Sequence, residues 1–565
     1  MPANGSTRRG RGQRILALLA VLTAVAGPQF VFASSAGAAQ GFVPISGAGS
    51  TWSFNALDQW RRNVDGLYGI SVQFAATGSS DGRNQFKAGT VDFAVSEIEY
   101  GLTDGGVVDA PPTERTFGYM PIVAGGTAFM YNLKVGNRRV TNLRLSGEVL
   151  TKIFTQQITS WDDPAIKADN PSLTLPARKI VPVVRSDGSG TTAQFTRWMA
   201  SQHGAPWDSY CDKAGRKVRP CGFTSFYPLT NGMEAKPGSQ GVAGYVAQDT
   251  SEGSITYVEY SYARNASFPV VKVLNRANYY VEPKAGSVAV ALLKARLNPD
   301  LTQDLGPVYV DDDPRTYPLS SYSYMIIPKN NNANFTNEKG RTLSEFAYYF
   351  LCEGQQQADA LGYSPLPVNL VQAAVDQVGQ IPGSTNKLNR NDLQKCNNPT
   401  FSPDGTNLLA KTAPQPDPCD LKGAPTQCAT GTGGATASTP ASGGGTGGPA
   451  AAGGGGGGPG GSTGGTDGTS AAAGGAGGAD GSLAGGTDPG GGLATEIDPD
   501  TGQVIGGAAS GSDGTTVSAV PVSVDVADGR RQMLLALIAV VLMLALVLGP
   551  PLVAQTMRSR DGPQA

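Results

Sequence analysis

The stretch Val183-Val184-Arg185-Ser186-Asp187-Gly188-Ser189-Gly190-Thr191-Thr192 narrows the folds open to this chain more than any other. It reads as a buried strand, a tight polar turn and a helix start, with Phe195, Trp198 and Met199 following on one helical side. Gly188 and Gly190 let the backbone turn sharply and come close to a ligand. Ser189 and Thr191 put hydroxyls where the first helical N–H groups lack partners and the positive end of the helix dipole emerges. Arg185 ends the strand with a fixed charge and planar donors. Together these describe an anion site, while a capped helix beside a surface arginine is the plainer reading of the same ten residues.

The pattern recurs. Ile45-Ser46-Gly47-Ala48-Gly49-Ser50-Thr51-Trp52 is a strand, a Gly-rich turn and a helix start, with Ala56, Leu57 and Trp60 at helical spacing. Ala76 to Gly82 repeats it, and Thr90 to Glu97 supplies a short strand ending in a polar pair. Residues 43 to about 120 therefore alternate strand and helix, as a layered α/β lobe does. The apolar run Pro121 to Asn132 reads as a crossover into a second lobe, and Tyr317 to Ile327 as the return. Between them fall a helix over Leu145 to Phe154, the Trp161-Asp162-Asp163-Pro164 turn, the Val183–Thr192 unit and a helix from Gly238 to Ala247. Arg341 to Leu351 and Pro367 to Val378 read as closing helices of the first lobe. Two crossings make a hinge, and ligands sit in the cleft it closes.

In wording and order these motifs resemble the phosphate-binding protein of the bacterial phosphate ABC transporter, a solute-binding protein family. The shared stretches are Gly47 to Trp52, Gly78-Ser79-Ser80, Thr90-Val91-Asp92-Phe93, Arg185 to Thr191, Ile158 to Leu175 and Ile255 to Ala263, spanning roughly residues 43 to 385. The resemblance implies an α/β, two-lobed type II periplasmic-binding-protein-like fold with the ligand between the lobes. It also implies inorganic phosphate as ligand, a phosphate ABC permease as partner, and no cofactor or metal. Residue by residue, it places Thr51, Trp52, Ser79, Arg185, Ser189, Gly190 and Thr191 around phosphate, with Asp187 holding the arginine. Read alone, Thr51, Ser79 and Asp187 are equally ordinary caps of helices and turns.

One position departs from the family. Its strand ends in Ser-Asp, whereas this chain has Ser96-Glu97. An ionised carboxylate only accepts hydrogen bonds. Phosphate at neutral pH keeps a proton to donate and sulfate has none, so a carboxylate in the pocket rejects sulfate. Glu97 has that capacity on a longer side chain, and Asp81, just inside the second helix start, is the alternative acceptor. Arg83 reads as a further donor or as part of a solvated helix face.

Composition sets the remaining bounds. All aromatic residues lie at or before Phe401, and roughly half of the 77 glycines fall between Gly431 and Gly529. A Gly/Ala/Ser/Thr tract without aromatics buries too little to offset its chain entropy. The chain is therefore expected to divide into a signal peptide (1–39), a bilobal domain (40–430), a linker (431–528), a transmembrane helix (533–553) and a cytoplasmic tail (554–565). Lobe 1 would cover about 40–120 and 320–400, and lobe 2 about 121–319, with the chain expected to loosen after Phe401. The net charge of −2 argues against nucleic acid as a partner. Arg8 to Arg14 before the apolar run Ile15 to Leu22 indicate export, and no Cys precedes Cys211 to carry a lipid. Attachment thus falls to Met533–Val553, with the binding domain extracytoplasmic.

Six cysteines in an exported chain suggest three disulfides among fifteen possible pairings. Proximity in sequence favours Cys211–Cys221, Cys352–Cys396 and Cys419–Cys428, the first closing a Lys/Arg-bearing loop. An enzyme is disfavoured. Asp187-Gly188-Ser189-Gly190 lacks the first Gly of Gly-x-Ser-x-Gly, the only histidine is His203, expected at the surface, and there is no Gly-Lys-Ser/Thr. The alternative within the same fold is a cell-surface anion scavenger, sensor or adhesin.

Overall fold

The computed structural model describes residues 41–385 and 392–435. The expected signal segment, the linker beyond residue 435, the 533–553 span and the tail lie outside the described residues. Among the described residues, no helix is long and apolar enough to cross a membrane.

Eight strands form the main sheet: β1 Ile45–Gly49, β2 Val72–Ala75, β3 Phe93–Ser96, β4 Phe117–Tyr131, β5 Val181–Arg185, β6 Glu234–Lys236, β7 Ser254–Glu259 and β8 Ser320–Pro328. They hydrogen-bond in the order β6-β5-β7-β4-β8-β3-β1-β2. One flank is parallel through β1, β2 and β3, the other through β5, β6 and β7. Between the flanks, β4 and β8 run antiparallel to their neighbours. β4 serves both halves, Phe117–Gly126 pairing with β8 and Thr127–Tyr131 with β7. Its Val/Ile/Phe/Met run is buried almost throughout, as expected of a strand with both faces covered.

The two flanks run in opposite directions, so their carboxyl ends point toward one another across β4 and β8, and four of these ends lead into helices. β1 leads to α1 (Phe54–Tyr68), β2 to α2 (Ser79–Lys87), β5 to α3 (Gly190–Gln202) and β6 to α4 (Gly238–Val246). A short helix, α5 (Tyr260–Asn265), follows β7. In open α/β sheets the carboxyl ends of parallel strands are where ligands bind, because helix starts and turn backbone converge there. Asn337–Leu351 and Val368–Val378 close the chain onto the β1 side, near the ranges read from sequence. The three disulfides are Cys211–Cys221, Cys352–Cys396 and Cys419–Cys428, the pairing that proximity favours.

Two expectations are corrected. The chain does not loosen after Phe401. Asn142 Nδ2 donates to the Cys428 carbonyl at 2.7 Å, Gly433 N to Glu282 Oε1 at 2.7 Å, and Lys272 pairs with Asp420 at 2.6 Å. Helix Leu408–Thr412 packs Ala410 against Ala289 and Val290. Backbone hydrogen bonds, an ion pair and a disulfide hold this segment in place of aromatic burial. Arg83 is not on a solvated face either. It is 3% exposed, with Nε 2.7 Å from Asp109 Oδ2 and Nη1 2.9 Å from Ser96 Oγ.

Candidate functional site

Most of the residues singled out from sequence meet where α1 to α4 begin. Glu97 is 1% exposed and sits among hydroxyls: Ser50 Oγ and Ser323 Oγ donate to Oε1 at 2.5 and 2.8 Å, and Ser79 Oγ to Oε2 at 2.8 Å. Three donors from three elements converge on one carboxylate.

The α3 start comes to the same place from the other flank. Gly190 N donates to Ser79 Oγ at 3.1 Å. A Cβ on residue 190 would lie 2.1 Å from Glu97 Oε2 and 2.6 Å from Ser79 Oγ, so only glycine allows this approach. Ser80 N donates to the Gly188 carbonyl at 3.1 Å, a second hydrogen bond across the cleft. Ser189 caps α3 by accepting from Thr192 N at 3.1 Å. Thr191 is 2% exposed and its hydroxyl has no partner. A buried hydroxyl without a partner at a 13-residue helix start can donate to an anion.

Arg185 is 3% exposed. Asp187 grips its guanidinium through both carboxylate oxygens, with Nε to Oδ1 at 2.7 Å. Asp187 Oδ1 also accepts from Gly238 N at 2.8 Å, tying the α4 start to the arginine. Arg185 Nη1 lies 3.4 Å from Ser239 Oγ, which is 2.8 Å from Thr51 Oγ1, and Ser239 N donates to Thr51 Oγ1 at 3.1 Å. The backbone around Trp52 is fixed as well, its N–H donating to Ser50 Oγ at 3.0 Å and its carbonyl accepting from Tyr363 OH at 2.7 Å. Arg185, Ser239 and Thr51 form one hydrogen-bonded group, and the Glu97 cluster lies next to it through the adjacent residues Ser50 and Thr51.

Below it, Tyr262 OH donates to the Thr51 carbonyl at 2.5 Å. Glu259, fully buried at the α5 start, accepts from Ser261 N at 2.8 Å. Burial, opposed only by hydrogen bonds from neighbours such as Ser261, pushes its carboxyl well above the usual carboxylate range.

Asp81 does not join the cluster. It is exposed on α2 and its Oδ2 accepts from Gln85 Nε2 at 2.5 Å. His203 caps the far end of α3, about 20 Å from Ser189 along a 13-residue helix, and is half-buried rather than at the surface. It packs edge-on to Trp198, and burial lowers its pKa.

Sequence reasoning missed Ser50, Ser239, Ser323 and Gln194. Ser50 lies inside the Gly-Ala-Gly-Ser-Thr-Trp motif, and Ser239 at a helix start that carries Gly and Ser, so both had a local signal. Ser323 had none. It enters through a register shift between Ser323 and Tyr324, in the part of β8 opposite Val123 and Pro121, and such shifts re-aim side chains. Gln194 Nε2 reaches the Glu97 carbonyl at 2.6 Å from within α3.

A buried arginine, four helix starts and several hydroxyls around one carboxylate can replace the hydration of a small oxyanion without surplus cations. A groove of about 560 Å³ lined by Leu292, Tyr322, Val368 and Asn407 also carries Arg315 and Lys411, but these cations are paired with Asp313 and Asp404.

Comparison with known proteins identifies the family of the chain. A family model described as a PBP superfamily domain matches residues 31–353. Phosphate-binding protein PstS of Xylella fastidiosa is 34% identical over 331 residues, covering 58% of this chain and 83% of the relative. PstS of Haemophilus influenzae is 29% identical, covering 59% and 92%, and PstS 3 of Mycobacterium tuberculosis is 27% identical, covering 57% and 82%. A solved periplasmic phosphate-binding protein (PfluDING) bound with phosphate is 20% identical, with a TM-score of 0.45, covering 59% of this chain and 93% of that one. The chain belongs to the PBP superfamily, in the branch of the phosphate-binding protein PstS.

Proposed function

We propose that the chain is an extracytoplasmic, high-affinity phosphate-binding protein that hands inorganic phosphate to an ABC permease, and that it is a carrier rather than an enzyme. The observation that carries the reading is the burial of Arg185, the unpartnered Thr191 hydroxyl and the Glu97 carboxylate at converging helix starts. The PstS relatives, named for phosphate binding, support it. In this reading Arg185, Thr191, Ser189 and Thr51 donate to the phosphate oxygens, Gly190 N, Trp52 N and the Ser79 hydroxyl turn to phosphate from Ser79 Oγ, Ser50 Oγ and Glu97, Glu97 accepts the phosphate proton, and Asp187 positions Arg185. Asp81 has no part in it.

The lobes are taken as about 40–120 with 320–400, and 121–319, joined by β4 and β8 as the hinge. The apolar run Met533–Val553, after the Gly-rich tract, would hold the domain at the membrane and leave 554–565 in the cytoplasm; this rests on sequence alone.

Calorimetric titration of the full chain tests the reading. Phosphate is expected to saturate one site per chain with no continuing heat of turnover, and sulfate at the same concentration to give no saturable heat. Sulfate uptake equal to that of phosphate would contradict it.

A further inference from the structure

Beyond the anion site, the rim of the cleft carries a second contact between the two flanks. After β3 the chain makes a small hairpin, Thr103–Asp104 pairing with Val107–Val108 around Gly105-Gly106. Both glycines have positive φ, 61° and 86°, as a two-residue type I′ turn requires. The hairpin base is pinned to its own flank, because Asp109 receives Arg83 of α2 and exchanges backbone hydrogen bonds with Gly101 and Leu102. This gives the buried Arg83 a purpose: it holds the hairpin to the helix whose first residue is Ser79.

The tip of the hairpin reaches the other flank. Asp104 Oδ1 lies 2.9 Å from Arg216 Nη2, and Oδ2 accepts from Ser225 N at 2.7 Å and Thr224 Oγ1 at 3.2 Å. Arg216 sits in the loop closed by Cys211–Cys221 and is 8% exposed, so this is a partly desolvated pair rather than a solvated surface one. The receiving loop is coupled to the anion site. The Ser225 carbonyl accepts from Ser189 N at 2.9 Å, and Ser189 caps α3 beside Gly190 and Thr191. Thr224 is locked to α3 by two hydrogen bonds with Thr196 Oγ1, at 2.9 and 3.0 Å. A second bridge, Arg197 Nη2 to Glu99 Oε1 at 3.8 Å, lies on the same rim.

We propose that Asp104 is a latch: its carboxylate clasps Arg216 and the Ser225 amide when the two flanks close, and so slows release of the bound anion. The proposal rests on the phosphate-binding reading of the cleft. A bilobal molecule hinged on two strands must break every cross-rim contact before its ligand leaves, and without ligand the same contacts form only part of the time. Asp104 therefore acts on dissociation and not on association. It touches no ligand and is a positioning residue.

Stopped-flow exchange of phosphate on the full chain tests this. Asp104→Asn and Arg216→Gln are each expected to release phosphate about tenfold faster, the scale of one lost charge-assisted hydrogen bond. Association should stay within about twofold, and the double variant should release no faster than either single one. Unchanged release in both variants, slowed association, or additive effects would overturn the latch. Amide exchange in phosphate-free protein gives a readout that does not depend on the ligand. Ser80 N and Gly190 N bond across the cleft, so they are expected to exchange faster in Asp104→Asn while the melting temperature holds. Unchanged exchange at both amides sinks the latch even where phosphate binds. A parent chain that takes up no phosphate refutes the functional reading alone, and the exchange experiment then decides the latch.

Discussion

Glu97→Gln is expected to bring sulfate and phosphate affinities close together, from an expected parent preference for phosphate on the order of 10⁴. The parent pocket presents an acceptor-only group whose oxygens already gather hydroxyls from Ser50, Ser79 and Ser323. A ligand that carries a proton completes that arrangement. A fully ionised one sets an oxygen against a carboxylate with no hydrogen between them, and in a buried site that mismatch is costly. Glutamine replaces one carboxylate oxygen with an N–H₂ donor of the same reach, which removes the reason to reject sulfate. Ser79 Oγ, which already accepts from Gly190 N, can accept from that amide in turn. Asp81→Asn is the control: Asp81 is exposed and bonded to Gln85, so its loss should leave the preference intact. Competition of each anion against labelled phosphate checks both. Full preference retained in Glu97→Gln, or lost in Asp81→Asn, would remove Glu97 as the selector.

Arg185→Ala is expected to weaken phosphate binding by about 1.5–3 kcal/mol, roughly 10- to 150-fold. Arg185 faces a network with no second arginine or lysine in its hydrogen bonds, so nothing replaces its charge. Removing it also leaves Asp187 with only Gly238 N, next to where the anion would bind. Asp187→Asn should cost less, because the guanidinium stays in place and only its grip loosens. Equal phosphate affinity for Arg185→Ala and the parent, measured by equilibrium dialysis, would take Arg185 out of the site.

The parts of this site that were legible in the sequence are those set by local chemistry. Arg185 to Thr191 reads as strand, turn and helix start because the Gly, Ser and Thr positions admit few other backbones. The long crossing strand was legible because a strand covered on both faces reads as a mostly apolar run, and Pro121 to Asn132 falls almost wholly within Phe117–Tyr131. What stayed hidden depends on contacts distant in the chain. Ser323 reaches Glu97 across 226 positions through a shift in strand register, which leaves no periodic trace. Arg83 looks like a solvated helix residue until Asp109 arrives from the hairpin. Residues 401–435 have no aromatic anchor after Phe401, and their order comes from partners such as Asn142, Lys272 and Glu282 far earlier in the chain. The choice between Asp81 and Glu97 was likewise open in the sequence, and only the fold shows that Glu97 is buried while Asp81 is exposed.

The most direct measurement is a crystal of the chain grown with arsenate, a phosphate isostere, and read by the anomalous signal of arsenic. The account predicts a single strong peak within hydrogen-bond reach of Arg185, Gly190 N and the Thr191 hydroxyl, with one arsenate oxygen against Glu97. A peak elsewhere, or none at the start of α3 when arsenate is seen to bind in solution, would contradict it.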